Sequence, residues 1–293
     1  MKIHDYHYYM EKPKNLEYAA VKNSVLNAIS ILALYVFATM TLSFLLRVGT
    51  GDLTEGQLHM LWIRYKGILR IAFAIPCIIM LGRVISQNGF KFCFSLEGFG
   101  KCMQAFMAVI LSMLVLATAY VFVTGIAPWV MDLEMTVFSF FSLVTFFEFA
   151  TGIFEEVLFR GLAMTAALIK WGHTAKGRLL CVIIPGVVFG LVHIVSAGNS
   201  WLMTVLLTSV LGISFGAAYV YSKNLLGCML IHMVWNLNIK LTGNWLVVDM
   251  PLTMVTIRNI SNIIFIVLIL VFAVIITVKA KPFELSHQVK PSK

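Results

Sequence analysis

The sequence predicts an all-α fold, a polytopic membrane helix bundle of about eight transmembrane helices. Three observations lead there. The 293-residue chain is 60% hydrophobic. Only 12% of its residues are charged, against roughly 25% in a soluble domain. Apolar stretches of bilayer length, about 17–25 residues each, follow one another between Ser24 and Val278 with short polar gaps. A mean hydropathy of +0.92 gives the same result for the chain as a whole.

The first span, Ser24–Leu46, contains no charge or histidine. The polar tail before it lacks the charged n-region, short apolar core and small-residue cleavage site of a signal peptide, so no cleavage is expected. A polar stretch, Arg47–Lys66, leads to the second span, Gly67–Ser86. Gln87–Lys101 leads to the third, Met103–Ile126, which is again free of charge. After the acidic loop Ala127–Met135 comes the fourth, Thr136–Ile169, which holds the stretch FEEVLFRG and ends at the basic loop Lys170–Arg178. Leu179–Ser196 and Trp201–Tyr221 each carry glycines at i and i+4, Gly186/Gly190 and Gly212/Gly216. In lipid that spacing lets helix backbones approach closely, which puts these two spans deep in the bundle. Asn224–Leu241 and Met254–Val278 complete the set.

Basic residues alternate between the two sides. Lys2, Lys12, Lys14, Lys22, Arg83, Lys91, Lys101, Lys170, Lys176, Arg178, Lys223, Lys279, Lys281, Lys290 and Lys293 fall in one set of segments, and Arg47, Arg64, Lys66, Arg70, Lys240 and Arg258 in the other. The positive-inside rule then predicts a multi-pass cell-membrane protein with both termini cytoplasmic. It also accounts for the net charge of +9 without nucleic acid as a partner. Five cysteines without a CxxC pair suit neither a disulfide framework nor a zinc knuckle. No repeat or linker divides the chain. The expected organisation is a cytoplasmic tail over 1–23, one transmembrane domain over 24–278 with its motif core at 136–241, and a second cytoplasmic tail over 279–293.

The strongly polar intramembrane groups are read as concentrated between Glu148 and Asn236. Each is a functional candidate, because a charge at the bilayer centre costs at least about 2.5 kcal/mol. Glu156 and Arg160 stand at i and i+4 with the acid first, the favourable order for an ion pair. The plain structural reading, a pair that positions the helix, is the preferred one for them. Glu155 is turned about 100° from Glu156, cannot share Arg160 equally, and is read as the uncompensated group. Glu148, one face-repeat earlier, lines an entrance or lies at the outer interface.

Partners for Glu155 must come from other helices. His4, His7, His59, His173 and His287 are placed in tails or loops, which leaves His193, at the end of FGLVH, and His232, at the start of HMVWN with Asn236 one turn on. Counted from the basic loop at 1.5 Å per residue, Glu155 and His193 both lie about 22 Å up, and counted from Lys223 His232 lies about 13 Å and Asn236 about 20 Å up. A lone intramembrane histidine usually just bonds to a neighbouring helix. Two at comparable depth beside a glutamate and an asparagine read as a site. Glu155 suits a general base toward a water, and His193 suits holding that water directly or through a metal. His232 and Asn236 are donors fit for a developing oxyanion. The set suits amide hydrolysis, and neither a Ser-His-Asp nor a Cys-His arrangement competes with it.

EEVLFR, FGLVH and HMVWN together resemble the E-E-x-x-x-R, F-x-x-x-H and H-x-x-x-N/D motifs of the CPBP family, the type II CAAX prenyl endopeptidases and bacteriocin-processing or Abi proteins. The resemblance covers roughly Thr136–Leu241, in the family's order. It implies an intramembrane endopeptidase, commonly labelled a metalloprotease. Glu155 and His193 would activate water, His232 and Asn236 would complete the polar site, and Glu156, Arg160 and Phe189 would support it. The substrate implied is a membrane-associated peptide or protein, such as a CAAX-like or bacteriocin peptide. A divalent metal such as zinc on Glu155, His193 and His232 remains an alternative to the preferred metal-free water. The competing function is a non-catalytic membrane protein that confers bacteriocin self-immunity by binding. A proton-coupled carrier ranks below both, since the chain lacks the internal symmetry such carriers show.

Overall fold

The computed structural model describes residues 14–49, 54–85, 88–107, 145–196, 201–242 and 252–282. Every regular element among them is helical. The expected third span beyond residue 107, the acidic loop Ala127–Met135 and the start of the span at Thr136 lie outside the described residues.

Helix α1 runs Lys14–Gly49 and α2 runs Glu55–Ile85. The stretch Arg47–Lys66, expected as a polar gap, is therefore mostly helix. Apolar residues continue through it at helical spacing, Leu58, Leu61, Trp62 and Tyr65 among them, so the few charges do not interrupt the pattern. His59, expected in a loop, sits in α2 with its ring stacked 6.3 Å from that of Trp62. Helix α3, Gly89–Cys93, is capped by the Asn88 side chain, which accepts from the Lys91 N–H. A further helical segment, α4, covers 99–107.

The central run begins with α5, Thr145–Glu156, passes through a π-helical segment, Val157–Met164, and continues as α6, Thr165–Trp171. Helix α7 is Ala175–Val192, closed by a 3₁₀ turn, His193–Ser196. Then come α8, Trp201–Ser222, α9, Leu225–Thr242, and α10, Leu252–Lys279. Four described stretches are long and apolar enough to cross a membrane: Asn23–Gly49, Gln57–Ile85, Ala175–Val192 and Trp201–Ser222. Leu225–Leu237 and Ile266–Lys279 are shorter apolar stretches.

Packing follows the small residues. α7 and α8 make the most extensive helix pair, through Gly186, Gly190 and Gly212. A Cβ on Gly186 would lie 2.7 Å from the Ile213 nitrogen, and one on Gly212 2.8 Å from the Gly186 oxygen. The glycine spacing thus serves close backbone approach. Gly152 does the same between α5 and α9, where a Cβ would lie 2.7 Å from the Met229 oxygen. Asn224 ties the turn before α9 to the turn before α4. Its Oδ1 accepts from the Gly227 N–H at 2.6 Å, capping α9, while its Nδ2 donates to Ser95 O at 2.7 Å and Glu97 O at 2.8 Å. The large exposed apolar residues, such as Leu34, Phe37, Met40 and Phe44 on α1 or Val267, Leu268 and Val271 on α10, are what a lipid-facing bundle surface requires. The chain is an all-α membrane protein.

Candidate active site

The site is built around Glu155 and Glu156, the last two residues of regular α-helix before the π segment. Single-turn π distortions recur at functional positions because they shift the side chains that follow out of the ordinary helical register. Here the Thr165 N–H reaches back five residues to the Arg160 oxygen, and its hydroxyl donates to that oxygen at 2.9 Å.

Glu156 is fully buried. Its Oε1 accepts from Arg160 Nη1 at 3.0 Å and from His232 Nδ1 at 2.8 Å. Arg160 Nη2 donates to the Gly212 oxygen on α8 at 2.9 Å, and its guanidinium lies 4.8 Å from the Phe189 ring centre and 5.3 Å from that of Phe215. The expected ion pair is present, and it links α5, α7, α8 and α9. A positioning role for the pair is what this geometry supports.

His232, on α9, is stacked on Phe215 at 5.0 Å and meets Phe189 edge-on at 5.9 Å. Because a carboxylate only accepts, the contact with Glu156 fixes a proton on Nδ1. Nε2 then points toward Glu155, 3.7 Å from its Oε2. One imidazole therefore spans the two glutamates. The close α5–α9 approach at Gly152, one turn before Glu156, brings the ring within reach.

Glu155 retains 12% of its side-chain exposure, and its Oε1 lies 3.5 Å from Arg70 Nη2. Its Oε2 is buried without a hydrogen-bond partner in the protein. His193 and Arg160 lie within electrostatic range of the carboxylate. His193 Nδ1 bonds to the Phe189 oxygen at 2.7 Å. The carbonyl can only accept, so Nδ1 carries the proton and Nε2 the lone pair of the neutral ring. His193 sits at the end of α7, where the helix tightens into the 3₁₀ turn, and its ring rests 4.7 Å from Phe189. Phe189 thus touches His193, His232 and Arg160 at once. Asn236 is half-buried on α9, one turn beyond His232.

Two expectations are corrected. Glu155 is not an uncompensated charge, and the polar intramembrane groups do not begin at Glu148. Arg70, assigned from the sequence to an outer segment, is buried in α2 at 8% exposure. It pairs with Glu155, donates from Nε to the Tyr35 hydroxyl at 3.0 Å, and donates from Nη1 to Thr151. An arginine three residues inside the apolar stretch Gly67–Ser86 was the available signal, obscured by Arg64 and Lys66 nearby. Glu148 is also buried in the bundle, at 2% exposure.

Among the described residues no group of three or more His, Cys, Asp or Glu side chains is placed to hold a metal ion. His232 and His193 each commit Nδ1 to an acceptor, Glu156 and the Phe189 carbonyl, which leaves Nε2 as the nitrogen that could ligate. Glu155, His193 and His232 are nevertheless not gathered as a ligand set among the described residues.

Residues 135–238 of the 293-residue chain match the family model described as type II CAAX prenyl endopeptidase Rce1-like. No curated protein and no solved structure gives a significant match. The matched segment contains Glu155, Glu156, Arg160, Phe189, His193, His232 and Asn236, and omits Tyr35 and Arg70. By that match, the segment carrying all three polar motifs is similar to the Rce1-like type II CAAX prenyl endopeptidases.

Proposed function

We propose that the protein is an intramembrane endopeptidase that cleaves a membrane-associated peptide, with Glu155 as the catalytic base. The observation that carries this reading is the asymmetry of that carboxylate. One oxygen is engaged by Arg70, while the other has no hydrogen-bond donor from the protein and lies 3.7 Å from His232 Nε2. An oxygen in that state is suited to take a proton from water.

In the proposed reaction Glu155 Oε2 removes a proton from a water, which the lone pair of His193 Nε2 orients by accepting its second hydrogen. The hydroxide formed attacks the scissile carbonyl carbon. Negative charge then develops on the carbonyl oxygen, where a proton on His232 Nε2 and the amide of Asn236 are the available donors. Glu155 returns its proton to the leaving nitrogen as the C–N bond breaks. Glu156 keeps a proton on His232 Nδ1, so a donor on Nε2 as well makes that ring an imidazolium flanked by the two glutamates, and Arg160 neutralises Glu156. Both chain termini are assigned to the cytoplasm.

The test is hydrolysis of a farnesylated CAAX peptide carrying a quenched fluorophore, by the full chain reconstituted in lipid nanodiscs. Cleavage by the wild type and a loss of at least about 10²-fold in Glu155→Gln are expected, since a positioned general base contributes about 10²–10⁴-fold. The His193→Ala variant is expected to fall similarly while still inserting and folding. Undiminished hydrolysis in either variant overturns the assignment. An absence of hydrolysis, together with bacteriocin protection that survives Glu155→Gln, points instead to immunity by binding.

A further inference from the structure

We infer that Arg70 is the positioning residue of Glu155, supplied by a part of the chain that lies outside the family segment. The inference rests on Glu155 being the reactive carboxylate. Arg70 comes from α2 and is anchored on both sides of the carboxylate it addresses. Nε donates to the Tyr35 hydroxyl of α1 at 3.0 Å, Nη1 donates to the Thr151 hydroxyl of α5, and Nη2 meets Glu155 Oε1 at 3.5 Å. The Phe147 ring lies 4.5 Å beneath the guanidinium. Thr151 is one turn before Glu155 and donates to the Phe147 oxygen at 2.8 Å, so the hydroxyl that receives Arg70 is itself fixed. All five guanidinium hydrogens project from the three nitrogens involved, and the planar fork leaves little freedom once two of those nitrogens are bonded.

The consequence is directional. A glutamate side chain on a helix can turn either oxygen toward its neighbours. A cation held on the Oε1 side removes that freedom and leaves Oε2 toward His232. Lysine offers a point charge without the fork, so it can pair with Glu155 but cannot also span Tyr35 and Thr151. The wild-type geometry therefore needs α1, α2 and α5 together, and the motif-bearing segment alone does not complete its own reactive group.

Two measurements on the purified full chain test this. The first is a double-substitution cycle read as the thermal unfolding midpoint in detergent micelles. Arg70→Gln is expected to lower the midpoint clearly in the wild-type background and much less in Glu155→Gln, because the charge it answers is already gone. Equal losses in the two backgrounds overturn the pairing. This arm does not depend on activity, so it still decides the pairing if the protein cleaves nothing. The second is hydrolysis of the quenched farnesylated peptide, expressed per folded molecule. Arg70→Gln is expected to reduce kcat by about 10²-fold with KM nearly unchanged, the effect of a misplaced reacting group. Arg70→Lys should recover part of kcat, and Tyr35→Phe, which removes one hydroxyl, should lose several-fold. If Arg70→Gln does not fold, the last two variants carry the test. Wild-type kcat in both Arg70→Lys and Tyr35→Phe, or a change confined to KM, overturns the positioning role.

Discussion

Arg160 shows how a single side chain becomes indispensable without touching substrate. It is only 2% exposed, its charge is answered by Glu156 at 3.0 Å, and its other arm holds the Gly212 oxygen. Removing one partner of a buried pair leaves the other charge stranded, at a cost of about 3–5 kcal/mol. Arg160→Met should therefore cut the yield of folded, monodisperse protein and lower its thermal midpoint. Combining it with Glu156→Gln should recover part of that loss, because the stranded charge is gone. If the double variant is as unstable as the sum of the singles, the pair does not act as a unit. Glu156 and Arg160 were legible in the sequence because their partnership is local, one helical turn apart. Arg70 and Glu155 are eighty-five positions apart and joined only by the packing of α2 on α5, so no periodicity could announce them. The family motifs do not include Arg70 either, since the matched segment begins at residue 135.

At the scale of the element, the α7–α8 pair places Phe189 and His193 against the rest of the site. The paired glycines were readable as a close-approach pattern, and the structure puts Gly186, Gly190 and Gly212 at the contact. The π segment was not readable. Val157–Met164 has the same apolar character as an ordinary helix, and the choice between bonding four or five residues back is made by tertiary partners such as Tyr219, whose hydroxyl lies 2.7 Å from that of Thr165. The tightening of α7 at its end was likewise not readable, because a 3₁₀ turn at His193 leaves no composition signal. Gly190→Ala isolates the packing argument. Its Cβ would lie 2.6 Å from the Val205 oxygen and 2.8 Å from the Ser209 nitrogen, both backbone atoms. Overpacking of this kind costs about 1–3 kcal/mol. The expected result is a lower midpoint and a loss of peptidase activity larger than the loss of fold, as α7 is pushed away with His193 at its end. Gly100→Ala is the control, since nothing lies within 4 Å of its Cβ.

For the whole molecule, the bundle is closed at the end of α7 remote from His193. Arg178 is buried there and donates to four carbonyls: Thr277 O at 3.3 Å, Val278 O at 3.2 Å, Gly172 O at 3.2 Å and His173 O at 3.4 Å. Two belong to the last turn of α10, whose carbonyls have no partners within the helix, and two to the turn that leads into α7. One guanidinium therefore joins the C-terminal helix to the motif-bearing segment. From the sequence, Arg178 registered only as one more basic loop residue marking the cytoplasmic side. Its position, fifteen residues before His193, separates it from the site by about 22 Å of helix. Stability and chemistry should then respond separately. Arg178→Met should leave several carbonyls unsatisfied, at about 1–3 kcal/mol for each that water does not reach. The midpoint should fall, and the last turns of α10 should become open to protease digestion in detergent. Below the new midpoint, hydrolysis of the farnesylated peptide per folded molecule should stay within about twofold of wild type, since substitutions this far from a site with no shared partners act nearly independently. A fall in kcat matching that of Arg70→Gln would mean instead that the closing of α10 onto α7 sets the geometry of Glu155, and that the two ends of the bundle are mechanically one.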